Sequence, residues 1–168
     1  MNSSLPVRVL CAVLLAATVA GAADVTTTTA TTPQEQVMTV KGTFDVTTIP
    51  QQPDSSAAGP FSRLFLDKTY HGDLDATGHG QMLAFQSPVH GSAGYVAMEQ
   101  VKGSLAGRDG SFVLQHVGTM KQGEVVTLAV TVVPDSGTGD LTGLAGELVI
   151  SFEGKQHLYE FRYTLPGD

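Results

Sequence analysis

Cysteine is nearly missing from this chain, tryptophan is wholly missing, and aromatic residues make up only 7% of it. The single cysteine, Cys11, lies in an apolar run near the N-terminus. A disulfide framework is therefore excluded, and the fold must be held by its own core. Basic residues are scarce and scattered: nine Lys and Arg stand against 16 Asp and Glu, for a formal net charge of -7. Phosphate backbones are bound by clustered Lys and Arg, so nucleic acid is excluded as a partner, and an acidic membrane surface is disfavoured for the same reason. Long apolar runs are missing as well. The longest, Val9 to Ala20, is roughly a dozen residues where a spanning helix needs about 20. No integral membrane segment is expected.

What the N-terminus does hold is Arg8, that apolar run, and small residues Ala20 and Ala22 framing an A-x-A site. This pattern predicts a cleaved secretory signal over residues 1–22 and a secreted or periplasmic mature protein. Cleavage removes Arg8 and leaves the protein one unit more acidic. Residues 23–36, "ADVTTTTATTPQEQ", have no apolar periodicity and are expected to form a disordered tether. A single domain over 37–168 follows, long enough to bury one core.

Within that domain apolar residues do not recur at helical spacing, and Gly and Pro interrupt the chain at short intervals. Eight candidate strands are legible: "QVMTVKGTFDVTT", "FSRLFLDKTYHGDL", "GQMLAFQS", "GYVAMEQVKGSL", "GSFVLQHVGTM", "EVVTLAVTVVP", "GELVISFEG" and "QHLYEFRYTL". Short connections make chain neighbours antiparallel, and a meander of eight strands loses its exposed edges by closing. The expected fold is an all-β, eight-stranded antiparallel meander closed into a β-barrel. A repeated corner supports it. "GSLAGRDGSFVL" from Gly103 and "GDLTGLAGELVI" from Gly139 share their glycine and leucine offsets, with a looser copy, "GDLDATGHGQML", from Gly72. Each copy is expected to form one hairpin corner.

Several motifs carry candidate chemistry. "SGTGDLTG", Ser136 to Gly143, runs into a strand rather than a helix, so a turn is expected there and not a phosphate cradle. "DLDATG", Asp73 to Gly78, opens like a calcium loop, but its twelfth position is Ala84 where a bidentate Glu should close the site; a solvated acidic turn is the expectation. The histidines His71, His79, His90, His116 and His157 show no short ligand spacing, and no metal site is expected. No "GxSxG" element occurs, and the mature chain would have no thiol nucleophile. In the last strand His157, Tyr159, Phe161 and Tyr163 share one face, whereas Phe65 and Tyr70 lie on opposite faces of the second. Inward tyrosines would give an apolar cavity hydrogen-bonding handles.

The sharpest constellation surrounds Gly107. A turn centred between Gly107 and Arg108 sets Glu99 against His116, Tyr95 against Met120, Ala97 against Gly118, Val101 against Leu114 and Gly103 against Phe112. A turn on Asp109 and Gly110 would shift these partners. If the face turns inward, a carboxylate and an imidazole stand among Tyr, Met, Leu and Phe. Three roles are open to them: a buried pair that fixes register, polar anchors that orient a ligand, or a general acid and base.

Together "KTYHGDL", "GYVAMEQVKGSLAGRDGSFVLQHVGT", "VVPDSGTGDLTGLAG" and "HLYEFRYTL" resemble the bacterial family called domain of unknown function 3224, grouped by fold with the allene oxide cyclase barrels. The resemblance runs from about Val37 to Leu165. It implies an allene oxide cyclase-like barrel with an internal cavity and no cofactor. Glu99 and His116 match the family's Glu and His positions, and Tyr70 and Arg108 fall in matching segments. No common activity attaches to the family, and no motif carries the cyclase reaction over to this chain. The resulting expectation is an exported barrel that binds a small, largely apolar molecule, with Tyr70, Tyr95, Val101, Phe112 and Leu114 as wall and Glu99 and His116 as polar anchors. A cofactor-independent isomerase or cyclase, with Glu99 and His116 catalytic, and a solid structural or subunit-contact barrel are the alternatives. Likeness to the cyclases makes a homo-oligomer reasonable, although no interface pattern is legible.

Overall fold

The computed structural model describes residues 36–52 and 59–167. The leader expected over 1–22 and all of the expected tether except Gln36 lie outside the described residues. Those described contain strands and turns and no helix, and so none long and apolar enough to cross a membrane. Nine strands follow in order: β1 (Met38–Gln51), β2 (Phe61–Gly72), β3 (Leu74–Gln86), β4 (Ala93–Leu105), β5 (Arg108–Lys121), β6 (Glu124–Val132), β7 (Thr138–Gly139), β8 (Ala145–Glu153) and β9 (Gln156–Thr164). The eight long ones pair antiparallel with their chain neighbours, β8 taking the place beside β6, and β9 returns to β1. The ring is closed, as the meander predicts. The two-residue β7 is additional and pairs outside it with β5.

Alternation decides which side chains line the interior. On β2, Leu66, Lys68 and Tyr70 are buried while Phe65, Asp67 and Thr69 are exposed; on β4, Ala97, Glu99 and Val101 alternate with exposed Val96, Met98 and Gln100. The last strand turns His157, Tyr159, Phe161 and Tyr163 inward, and Phe65 and Tyr70 do face opposite ways. Phe112 stacks on Phe161 with ring centroids 5.7 Å apart. The tyrosine of β9 has a further task. Tyr159 lies across Gly42, where a β-carbon would meet its ring, and its hydroxyl accepts from Leu74 N (3.1 Å) and donates to His71 O (3.2 Å). It thereby pins the β2–β3 corner to β9 across the intervening β1.

The two ends of the barrel differ. At one end Leu74, Leu105 and Leu141, which hold the same offset in the three copies of the glycine corner, are almost wholly buried together with Leu144 and Leu165. The repeat thus supplies a leucine plug. At the other end the inward side chains of Val46, Leu64, Met82, Ala84, Tyr95, Leu128 and Ile150 stay partly exposed. The barrel is thus sealed at one end and less tightly filled at the other.

Two expectations are corrected. The Gly139 copy is not a hairpin corner: it carries the chain from β7 to β8 across the sealed end, tied to β5 through Asp140 N to Asp109 O (2.9 Å) and Val113 N to Ser136 Oγ (3.0 Å). The stretch from Asp73 to Gly78 is not a turn either, because β3 begins at Leu74. Asp73, Asp75 and Thr77 are exposed and alternate with buried Leu74 and Ala76. Oxygens spread along one face of a strand cannot wrap a calcium ion.

Candidate functional site

The β4–β5 turn is one residue earlier than expected. Ala106 and Gly107 occupy it with φ of 50° and 82°, the two positive values of a tight I′ hairpin. Glu99 therefore pairs with Leu114, and His116 with Ala97. The true register differs by two from the expected one, which leaves every side chain on its face. Glu99 and His116 become diagonal neighbours, both inward and buried.

Glu99 is the centre of a four-residue cluster. Tyr70 Oη donates to its Oε1 at 2.8 Å, and Lys68 Nζ donates to its Oε2 at 2.7 Å. Lys68 also donates to Tyr70 Oη at 3.3 Å and stands 4.9 Å from the centroid of the Phe44 ring, a cation–π distance. His116 Nε2 lies 2.9 Å from Glu99 Oε2, but off the line of a well-formed hydrogen bond, so this buried nitrogen has no aligned partner. All four side chains are at most 6% exposed. The slot that holds them is cut from β3. A β-carbon at Gly78 would collide with Glu99 Oε1, and one at Gly80 would press on the Glu99 backbone.

The electrostatics follow from this packing. Burial alone pushes the Glu99 carboxyl up, but the contacts from His116 and Lys68 outweigh it and hold the group below the usual carboxylate range. Burial, and then the Glu99 charge, push Tyr70 well above its ordinary value, so its hydroxyl stays a donor. A carboxylate whose pKa is lowered in the folded state adds stability that is complete above its unfolded value of about 4.3 and is lost as pH falls below it. Melting from pH 6 to pH 3 should therefore show wild type losing ground steadily below about pH 4.3 against a Lys68→Met/Glu99→Leu variant. A gap between the two that does not change with pH would remove Glu99 as the source.

The candidates divide by depth. Tyr70, Glu99 and His116 come together, joined by Lys68, which the sequence reading passed over. Val101, Phe112 and Leu114 are buried in the core around and below the cluster, while Tyr95 is half-buried near the open end, its ring filling the space that glycine leaves at Gly118. Arg108 lies in the β4–β5 corner, away from the cluster. The overlooked signal for the slot is "GHG", Gly78 to Gly80: two glycines of the same parity in a strand mark the close approach of something else.

A closed eight-stranded antiparallel barrel with a carboxylate-centred ionic cluster in its interior defines the structural class. The chain belongs to the family described as protein of unknown function (DUF3224), whose model matches residues 40–163. It is similar, at 47% identity, to a protein with unknown function from the DUF3224 family of Shewanella oneidensis MR-1 whose crystal structure is known. That match covers 79% of this chain and 100% of the other, with a TM-score of 0.72. A search of curated proteins finds no match.

Proposed function

We propose that the protein binds a small, largely apolar molecule in the open half of the barrel, above the Lys68–Tyr70–Glu99–His116 cluster. The observation that carries this reading is the difference between the ends. Inward side chains below the cluster are sealed, whereas Val46, Leu64, Met82, Tyr95, Leu128 and Ile150 keep part of their surface open inside the ring. An eight-stranded barrel interior is either filled by side chains or just wide enough for one small ligand, and apolar walls with a few polar groups are the usual make-up of such a site. Tyr95 supplies a hydroxyl at the rim. The cluster forms the floor, its charges balanced within itself, so the ligand is held by shape and apolar contact. The leader pattern over residues 1–22 supports a role outside the cytoplasm.

Proton-moving isomerase chemistry draws less support from the same geometry. Both oxygens of Glu99 are engaged and its ionised form is the stabilised one, which makes it a weak base. Native mass spectrometry of protein purified without detergent tests the binding reading. Wild type should carry a co-purifying molecule or take up added 1-decanol, and Ala84→Trp, which fills the mouth, should do neither. Bare protein mass for wild type under both conditions would leave a solid barrel.

A further inference from the structure

The outer wall of the barrel is uneven. Over β8, β9 and the first half of β1 it carries charge: Lys41 and Glu160 meet at 2.8 Å, and Arg162 reaches Glu160 at 2.6 Å and Glu147 at 3.5 Å. Toward the open end of β1 to β4 the outward positions carry instead a group of large apolar side chains. Ile49, Phe65, Leu83, Val96 and Met98 are 39–51% exposed, and beside them Phe61 and Phe85 meet edge to face at 6.4 Å. These residues are contiguous, because Ile49 pairs with Phe65, Leu83 with Val96 and Phe61 with Phe85. An open depression of about 700 Å³ at one side of the patch is lined by Ile49, Phe65 and Met98 together with Asp67, His79 and Gln81.

We infer that this wall is the contact face of a homodimer, the occupant being a second copy of the chain. Size is the first argument. An aromatic side chain carries about 150–250 Å² of surface and an aliphatic one somewhat less, so seven large side chains at 39–51% exposure present on the order of 600 Å². That stands at the upper end of the roughly 300–600 Å² of the largest apolar patch on an ordinary monomer and supplies the greater part of the ~800 Å² per partner of a stable interface. Charge is the second. Two copies that each carry -7 repel one another over most of their surfaces and can meet only where that excess is absent. In the open-end part of this wall, where the apolar residues lie, the charged and titratable groups are Arg63, Asp67 and His79, with Asp67 3.1 Å from His79, so the patch holds no acidic excess; Asp45, His71, Asp73, Asp75 and Lys102 lie toward the sealed end. An isologous contact, the same patch on both subunits, buries the apolar residues of both copies with a single surface, and homodimer interfaces are the apolar kind. The inference does not depend on what the barrel holds.

Light scattering after size exclusion of the purified chain tests it. Wild type at about 100 µM should run at twice the chain mass, and Phe65→Lys/Met98→Lys should run at the chain mass with an unchanged circular dichroism spectrum. Val149→Lys, which alters the charged wall, should remain double. A wild type that runs as a single chain overturns the proposal. So does a double mass that survives Phe65→Lys/Met98→Lys, or a single chain that sediments with phosphatidylcholine vesicles unless those two substitutions are present.

Discussion

Glu99→Ala should cost about 3–5 kcal/mol of stability at pH 7, the usual consequence of removing one partner from a buried ion pair. For a domain of this size that corresponds to a fall on the order of 10–20 °C in Tm. The cost arises from what remains. Lys68, 6% exposed, would keep its charge with no carboxylate beside it, and the Tyr70 hydroxyl would lose its acceptor. The pair itself need not be strongly stabilising, since desolvation offsets much of the attraction in a buried bridge. Lys68→Met/Glu99→Leu should therefore recover most of the loss, ending within about 1–2 kcal/mol of wild type. Urea unfolding of the wild type, Lys68→Met, Glu99→Leu and the double variant closes the cycle. Single and double losses that simply add would mean the two side chains do not interact.

Leu105→Ala should be the second large effect, at about 2–5 kcal/mol, because it opens a cavity at the sealed end. Leu105 is fully buried and pairs directly with Leu74, and with Leu141 it completes the plug. Met98 on the same strand points the other way and is 49% exposed. Met98→Ala should change the unfolding free energy of the isolated subunit by no more than about 0.5 kcal/mol, as surface changes usually do. Equal losses at the two positions, measured by denaturant unfolding at low protein concentration, would contradict the alternation that defines inside and outside.

Much of the architecture is legible from residue order alone. Alternation and glycine spacing mark all eight barrel strands, and the repeated corner marks the leucines that seal one end. The start of β3 is not legible, because "DLDATGHG" is rich in poor strand formers. It is extended nonetheless, since Leu74 and Ala76 bury against the neighbouring strands and Gly78 makes room for Glu99. Tyr70, Glu99 and His116 are found by sequence and Lys68 is not, for a definite reason. Lys68 shares the parity of Tyr70, but a lysine is almost never buried unless paired, so nothing in the order of residues marks it as an interior group until Glu99 is seen beside it. The hairpin register is missed by one turn position because Ala106, not a glycine, adopts one of the two left-handed conformations.

That corner also limits how the gene can change. A slip of two residues along its partner would keep the inner and outer rows of β5, whereas a slip of one would turn the whole strand inside out. His116 and Leu114 would then face water, while Gln115 and Val117 entered the barrel beside the carboxylate of Glu99. Descendants of this sequence can lengthen the loop by odd or even steps only while the pairing of Leu105 with Arg108 is kept, so that the added residues stay in the loop and the ladder does not slip.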